Sequence, residues 1–163
     1  MHKLSLLVAL MLIGTLLCAQ DLKQSLLDDI QKYRLSFNYE YVITGIQDVS
    51  VSGKAVVQKN CFRIEGAGLL ILCDAENVWT LDLEGKEAYV ESAGPMDYVD
   101  YISDIQWEGN DLRGTATEPT SGAIIDFRLY DIAKGPTSGD LSLFTPSSEL
   151  FEDSSDWIIT DLR

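Results

Sequence analysis

Between Ser36 and Ser92 the chain alternates apolar and polar residues with a period of two, and turn-forming stretches interrupt it repeatedly. Those breaks are Lys59 and Asn60, the run Gly66, Ala67, Gly68, residues 74–77, and Glu84 with Gly85. A period of two reads as strand, and Gly, Asn and Asp clusters read as turns. Connections this short leave no room for crossover helices, so neighbouring strands must run antiparallel. This constraint narrows the possible folds more than any other feature of the chain.

Turn geometry then sets which side chains share a face, because a slip of one residue moves every side chain to the other side. Taking Ala67 as the centre of a three-residue turn opposes 61 with 73, 62 with 72 and 64 with 70. Phe62, Ile64, Leu70 and Leu72 then share one face, and Cys61, Arg63, Ile71 and Cys73 the other. The turn at 74–77 adds Trp79 and Leu81 to the apolar face. The turn at Glu84 and Gly85 adds Ala88 and Val90, and a two-residue loop at Lys59 and Asn60 adds Gly53, Ala55 and Val57. The other face carries Lys54, Gln58, Thr80, Asp82, Glu87 and Glu91, and is wet. Upstream, Phe37, Tyr39, Tyr41 and Ile43 alternate with Asn38, Glu40 and Val42. A two-residue loop at Gln47 and Asp48 puts Val42 and Thr44 inside; a bulge near Gly45 puts the aromatic set inside. The second arrangement is preferred, because the first exposes several large rings.

On this register Cys61 and Cys73 stand directly opposed on the wet face. Their separation suits a disulfide, while a hydrogen-bonded pair strains the bridge. Both the oxidised and the reduced pair stay open. A bridge there would staple a hairpin.

A wide apolar sheet face needs a cover. Leu22, Leu26, Ile30 and Tyr33 recur at helical spacing. After Gly94 and Pro95, Met96, Val99 and Ile102 fall on one side of a second candidate helix, with Tyr98 and Tyr101 beside them. Ser147 or Ser148 caps a short turn over 149–153. Further strands are expected at 105–107, 112–118 and 123–132, with an extended run from Trp157. The expected architecture is mainly β with a few helices (α+β). It is a strongly curved antiparallel sheet forming an incomplete β-barrel, with a helical lid on the concave side.

The first residues carry a positive start, Met1, His2 and Lys3, then an apolar run from Leu4 to Leu17, then Leu17, Cys18 and Ala19. That is the layout of a secretory signal peptide over 1–19, with an apolar core short for a membrane span. A lipid-anchored form at Cys18 is the rival reading. It is disfavoured because Leu17 stands where a small residue is normal. Cleavage after Ala19 leaves one domain over 20–163 with 11 basic and 26 acidic side chains, a net charge of −15. The only histidine, His2, departs, which removes Ser-His-Asp, Cys-His and imidazole-metal chemistry. An acidic surface repels phosphate backbones, so nucleic acid is not an expected partner. Neither Asp97, Asp100, Asp104 nor Glu152, Asp153, Asp156 has calcium-loop spacing. No carboxylate pair is singled out for catalysis, so no enzyme activity, metal or cofactor is expected.

The stretches "FRIEG" (62–66), "GLLILCDAENVWTLD" (68–82), "KEAYVES" (86–92) and "WIITDLR" (157–163) resemble the periplasmic outer-membrane lipoprotein carriers, the LolA-like family, in its Bacteroidota-type branch. Ala75 and Glu76 replace the glycine usual after Asp74. The resemblance implies a LolA/LolB-like incomplete barrel around an apolar cavity, lidded by helices. It implies a periplasmic monomer that takes lipoprotein acyl chains from an inner-membrane release complex and passes them to an outer-membrane acceptor. The cavity lining would be Tyr39, Tyr41, Val57, Phe62, Ile64, Leu70, Leu72, Trp79, Leu81 and Val90 on the sheet. Met96, Val99 and Ile102 would line it from the lid. Carriers of this family latch the lid with a strand arginine; Lys59, at a comparable distance after Gly53, is the latch candidate, although lysine lacks arginine's fork. From the residues alone a filled core is the better reading of the same face, since apolar strand faces are usually core. A secreted protein-binding or lipid-sensing module with the same fold is the alternative function.

Overall fold

The computed structural model describes residues 21–44, 48–95, 98–118, 120–152 and 156–163. The expected signal peptide, Met96 and the bulge near Gly45 lie outside them. Residues 21–32 form one helix, α1. Ten strands follow: β1 (Tyr33–Thr44), β2 (Val49–Gln58), β3 (Cys61–Gly66), β4 (Leu69–Asp74), β5 (Asn77–Asp82), β6 (Glu87–Ser92), β7 (Ile102–Glu108), β8 (Asp111–Thr117), β9 (Ile124–Pro136) and β10 (Ile158–Asp161). They make one curved, unclosed sheet in the order β10-β6-β5-β4-β3-β2-β1-β9-β8-β7.

Every strand joined to its neighbour by a tight turn pairs antiparallel, as the turn spacing requires. β10 pairs parallel with β6, Ile158 opposite Glu87 and Asp161 opposite Val90. It can do so because residues 137–157 separate β10 from β9, a connection long enough for parallel pairing. Three of the four turn registers agree with the expected pairing: Val57 opposes Phe62, Leu72 opposes Trp79, and Trp79 opposes Val90. Asp residues set the last two turns. The Asp74 carboxylate accepts from the amides of Glu76 and Asn77 at 2.9 and 2.7 Å. The Asp82 carboxylate does the same for Glu84 and Gly85 at 3.0 and 2.9 Å. The aromatic set of β1 faces inward as preferred, with Phe37 opposite Ala55 and Tyr41 opposite Val51.

The β3–β4 turn departs from expectation, with large consequences. It closes on two residues, Ala67 (φ 51°) and Gly68 (φ 78°), with Gly66 opposite Leu69. Both φ values are positive, the geometry that matches strand twist in a two-residue hairpin. Ile64 therefore opposes Ile71, and Phe62 opposes Cys73. Everything from β4 to β6 changes sides relative to β3. Ile71 and Cys73 join Phe62 and Ile64, while Leu70, Leu72, Trp79, Leu81 and Val90 leave them.

Both faces of this half of the sheet are consequently apolar. On one side, the helix side, lie α1 and Val99. On the other, the tail side, residues from 137–152 and Trp157 pack. Its clearest core joins Leu72, Leu81 and Ala88 to Leu150, with Leu70, Trp79 and Trp157 against them. Phe144, 1% exposed, sits at the 3-10 turn Ser142–Phe144, which touches β3 and β4. Each such side chain contributes about 1.5–3 kcal/mol by leaving water. Buried Gln58 pins the start of the tail: its amide donates to Ser138 O at 2.7 Å and accepts from Ser138 N at 3.1 Å. Ser147 caps the 3-10 turn Ser148–Phe151 at the expected place, accepting from Glu149 N. The second expected helix is only a 3-10 turn, Tyr98–Tyr101, and Ile102 opens β7 instead of continuing it.

Candidate functional site

The helix side of the sheet carries two apolar chambers that share Val57, Ile64 and Ile71 and so form one trough. The first, of about 620 Å³, lies beneath α1; Leu27 and Ile30 roof it, Phe62, Ile64, Ile71 and Val78 floor it, and Val99 closes a side. The second, of about 430 Å³, is walled by Phe37, Tyr39, Tyr41, Leu69, Phe127 and Leu129. Both fall within the 300–1,000 Å³ common for small-molecule sites.

Glycines make room for the second chamber. Tyr39 opposes Gly53 across β1–β2, and Gly53 opposes Gly66 across β2–β3. The Tyr39 ring lies over both: a Cβ on Gly53 would meet Tyr39 Oη at 2.6 Å, and one on Gly66 would meet it at 2.4 Å. The ring is held flat by its hydroxyl, which donates to Glu65 O at 3.2 Å. It stacks with Tyr41 at 6.0 Å between centroids and 13° between planes. Burial, with Tyr41 second, pushes the Tyr39 hydroxyl pKa up, so it stays a donor. Phe127 repeats the device opposite Gly114, whose Cβ would meet the ring at 2.6 Å. Rings laid on glycines widen the trough instead of filling it.

Of the expected lining, Tyr39, Tyr41, Val57, Phe62, Ile64 and Val99 come together here. Leu70, Leu72, Trp79, Leu81 and Val90 do not; the two-residue turn carries them to the tail side. There Leu70, Leu72 and Leu81 border a separate cavity of about 490 Å³ with Leu150 and Trp157. Ile102 meets α1 through its backbone, its carbonyl accepting from the Lys23 ammonium. Ile71, Val78, Leu69, Phe127 and Leu129 belong to the trough although the expected register did not put them there. The uninterrupted apolar run Leu69, Leu70, Ile71, Leu72, Cys73 is the signal that could have found Leu69 and Ile71, because a strand apolar on both faces has no polar alternation.

Lys59, the latch candidate, bonds to α1 through its backbone: its N–H donates to Ile30 O at 2.7 Å, near the C-terminal end of the helix. The other described ties to α1 are the Lys134–Asp29 ion pair at 2.5 Å and the Lys23 contact. Cys61 opposes Asp74 and Cys73 opposes Phe62, so the two thiols point to opposite faces. Both are buried and free. Burial raises both thiol pKa values, removing the thiolate needed for exchange chemistry. Among the described residues no cluster of His, Cys, Asp and Glu could hold a metal, and no helix is long and apolar enough to cross a membrane.

No model of a known protein family matches the chain, nor does any curated protein. Among solved structures it is similar to an uncharacterized conserved protein from Thermus thermophilus, at 7% identity and a TM-score of 0.49, over 85% of this chain and 98% of that one.

Proposed function

We propose that the protein is a carrier that shelters acyl chains in the helix-side trough, acting as LolA-like periplasmic carriers do for lipoproteins on their way to the outer membrane. The observation that carries this reading is the apolar trough, with a lid tied down by few polar contacts. An acyl chain loses about 0.8 kcal/mol per CH₂ on entering water, so crossing an aqueous gap requires such a shelter. The task needs no catalytic group. The inner-membrane donor and outer-membrane acceptor belong to the same proposal.

Native mass spectrometry of the purified chain, alone and with the double variant Ile64→Glu, Ile71→Glu, tests it. Wild type is expected to carry lipid and the variant to lose it while keeping its strand circular dichroism. A wild type that takes up no lipid, even when offered it, overturns the carrier. A second reading, a protein-binding module, draws on the exposed apolar β10, where Ile158 is 64% exposed at a free sheet edge. A lipid-free chain with a stoichiometric protein partner would favour it.

A further inference from the structure

The larger chamber is hydrocarbon except at one mouth. There the turn residues Lys59 and Asn60 meet Gln31, the neighbour of Ile30 whose carbonyl holds Lys59 N–H. Lys59 takes a positive φ of 50°, and that bond fixes its backbone. Its side chain is exposed and, among the described residues, has no ion-pair partner. The cations bordering the tail-side cavity are different: Arg63 is held by Glu65 at 2.5 Å and Lys86 by Asp156 at 2.8 Å. The acid at the second chamber, Glu40, is likewise engaged by Arg128 at 3.0 Å. In a chain of net charge −14, a ligand anion is repelled generally and gains only beside a local cation.

We propose that the chamber under α1 prefers an amphiphile whose acyl chain ends in an anion, a carboxylate or a phosphate, with that anion at Lys59 and its hydrocarbon on Phe62, Ile64 and Ile71. This rests on the carrier reading and assigns Lys59 to the ligand's head instead of the lid. Gln31 and Asn60 supply amide donors beside the ammonium.

Displacement of a fluorescent acyl probe from the full chain by palmitate, hexadecyl phosphate and neutral hexadecanol tests it. One or both anions should bind wild type about two- to fivefold tighter than hexadecanol, the worth of an exposed ion pair. The margin should narrow as salt rises. It should vanish in Lys59→Gln and persist in Lys59→Arg. A margin for palmitate alone, or for hexadecyl phosphate alone, identifies the head group. Equal affinity for all three ligands in wild type overturns the Lys59 assignment and leaves the carrier standing, even if the Gln variant does not fold. Absence of binding by any of them overturns both.

Discussion

Replacing Gly53 with alanine tests the geometry on which the second chamber depends. Glycine in the middle of a strand is ordinarily a weakness, and Gly→Ala there should gain about 0.5–1 kcal/mol. Here the added Cβ would lie 1.9 Å from the carbonyl oxygen of Glu65, 2.6 Å from Tyr39 Oη and 2.8 Å from the ring carbon that bears it. The carbonyl is backbone, so β2 and β3 must separate, a distortion of the kind that costs about 1–3 kcal/mol. The ring must lift, breaking the 3.2 Å bond to Glu65 O, worth about 0.5–1.5 kcal/mol. The clash outweighs the entropy gain, leaving a net loss of about 0.5–4 kcal/mol. Near the centre of that range the melting temperature falls by about 4–8 °C. Urea denaturation measures the loss, and displacement of a fluorescent acyl probe reads the lifted ring as weaker binding. A companion cycle apportions it. At Gly66 the nearest obstacle is the Tyr39 hydroxyl at 2.4 Å, ahead of Ser52 O at 2.8 Å. Tyr39→Phe should therefore recover at least about 0.5 kcal/mol of the Gly66→Ala loss. A Gly53→Ala protein as stable as wild type, or more so, would refute the stacking of Tyr39 on the paired glycines and the register behind it.

Three further outcomes follow from the same structure. Alkylation under denaturing, non-reducing conditions should modify both Cys61 and Cys73, and native alkylation should be slow; a Cys61–Cys73 bridge would contradict the β3–β4 register. Leu72→Ala should cost about 2–5 kcal/mol in urea unfolding, and half-buried Ile71→Ala about 1–2 kcal/mol, since Leu72 is 1% exposed and packed with Leu81, Ala88 and Leu150, and Ile71 borders the trough. Glu118 accepts from Ser121 and Thr120 and its pKa falls to about 2. The unfolded value is about 4.3, so its stabilisation is present above that pH and is lost as pH falls toward about 2. Glu118→Gln should flatten the pH dependence of the urea midpoint in that window.

Much of the sheet was legible because turn chemistry is local. Asp74 and Asp82 fold their turns by accepting the amides two and three residues on, so the pairing of Leu72 with Trp79 and of Trp79 with Val90 could be read from spacing. The turn at Gly66, Ala67 and Gly68 misled because its symmetry suggests a three-residue loop. A two-residue turn with φ positive at both positions normally announces itself by Asn-Gly, and alanine occupies that first position at φ 51°. One residue of register then decided which apolar row became trough and which became core.

The sequence by itself determined that short antiparallel strands would form and that a helix and a C-terminal tail would need apolar surface to cover; it only favoured turning the rings of β1 inward. Those properties follow from side-chain periodicity and from hydrogen bonds spanning a few residues. Only the tertiary structure decided that the run Leu70 to Cys73 is covered on both faces, by α1 on one and by Leu150 and Trp157 on the other. When every residue of a strand is apolar, either face can be buried, and the choice falls to the elements that pack there.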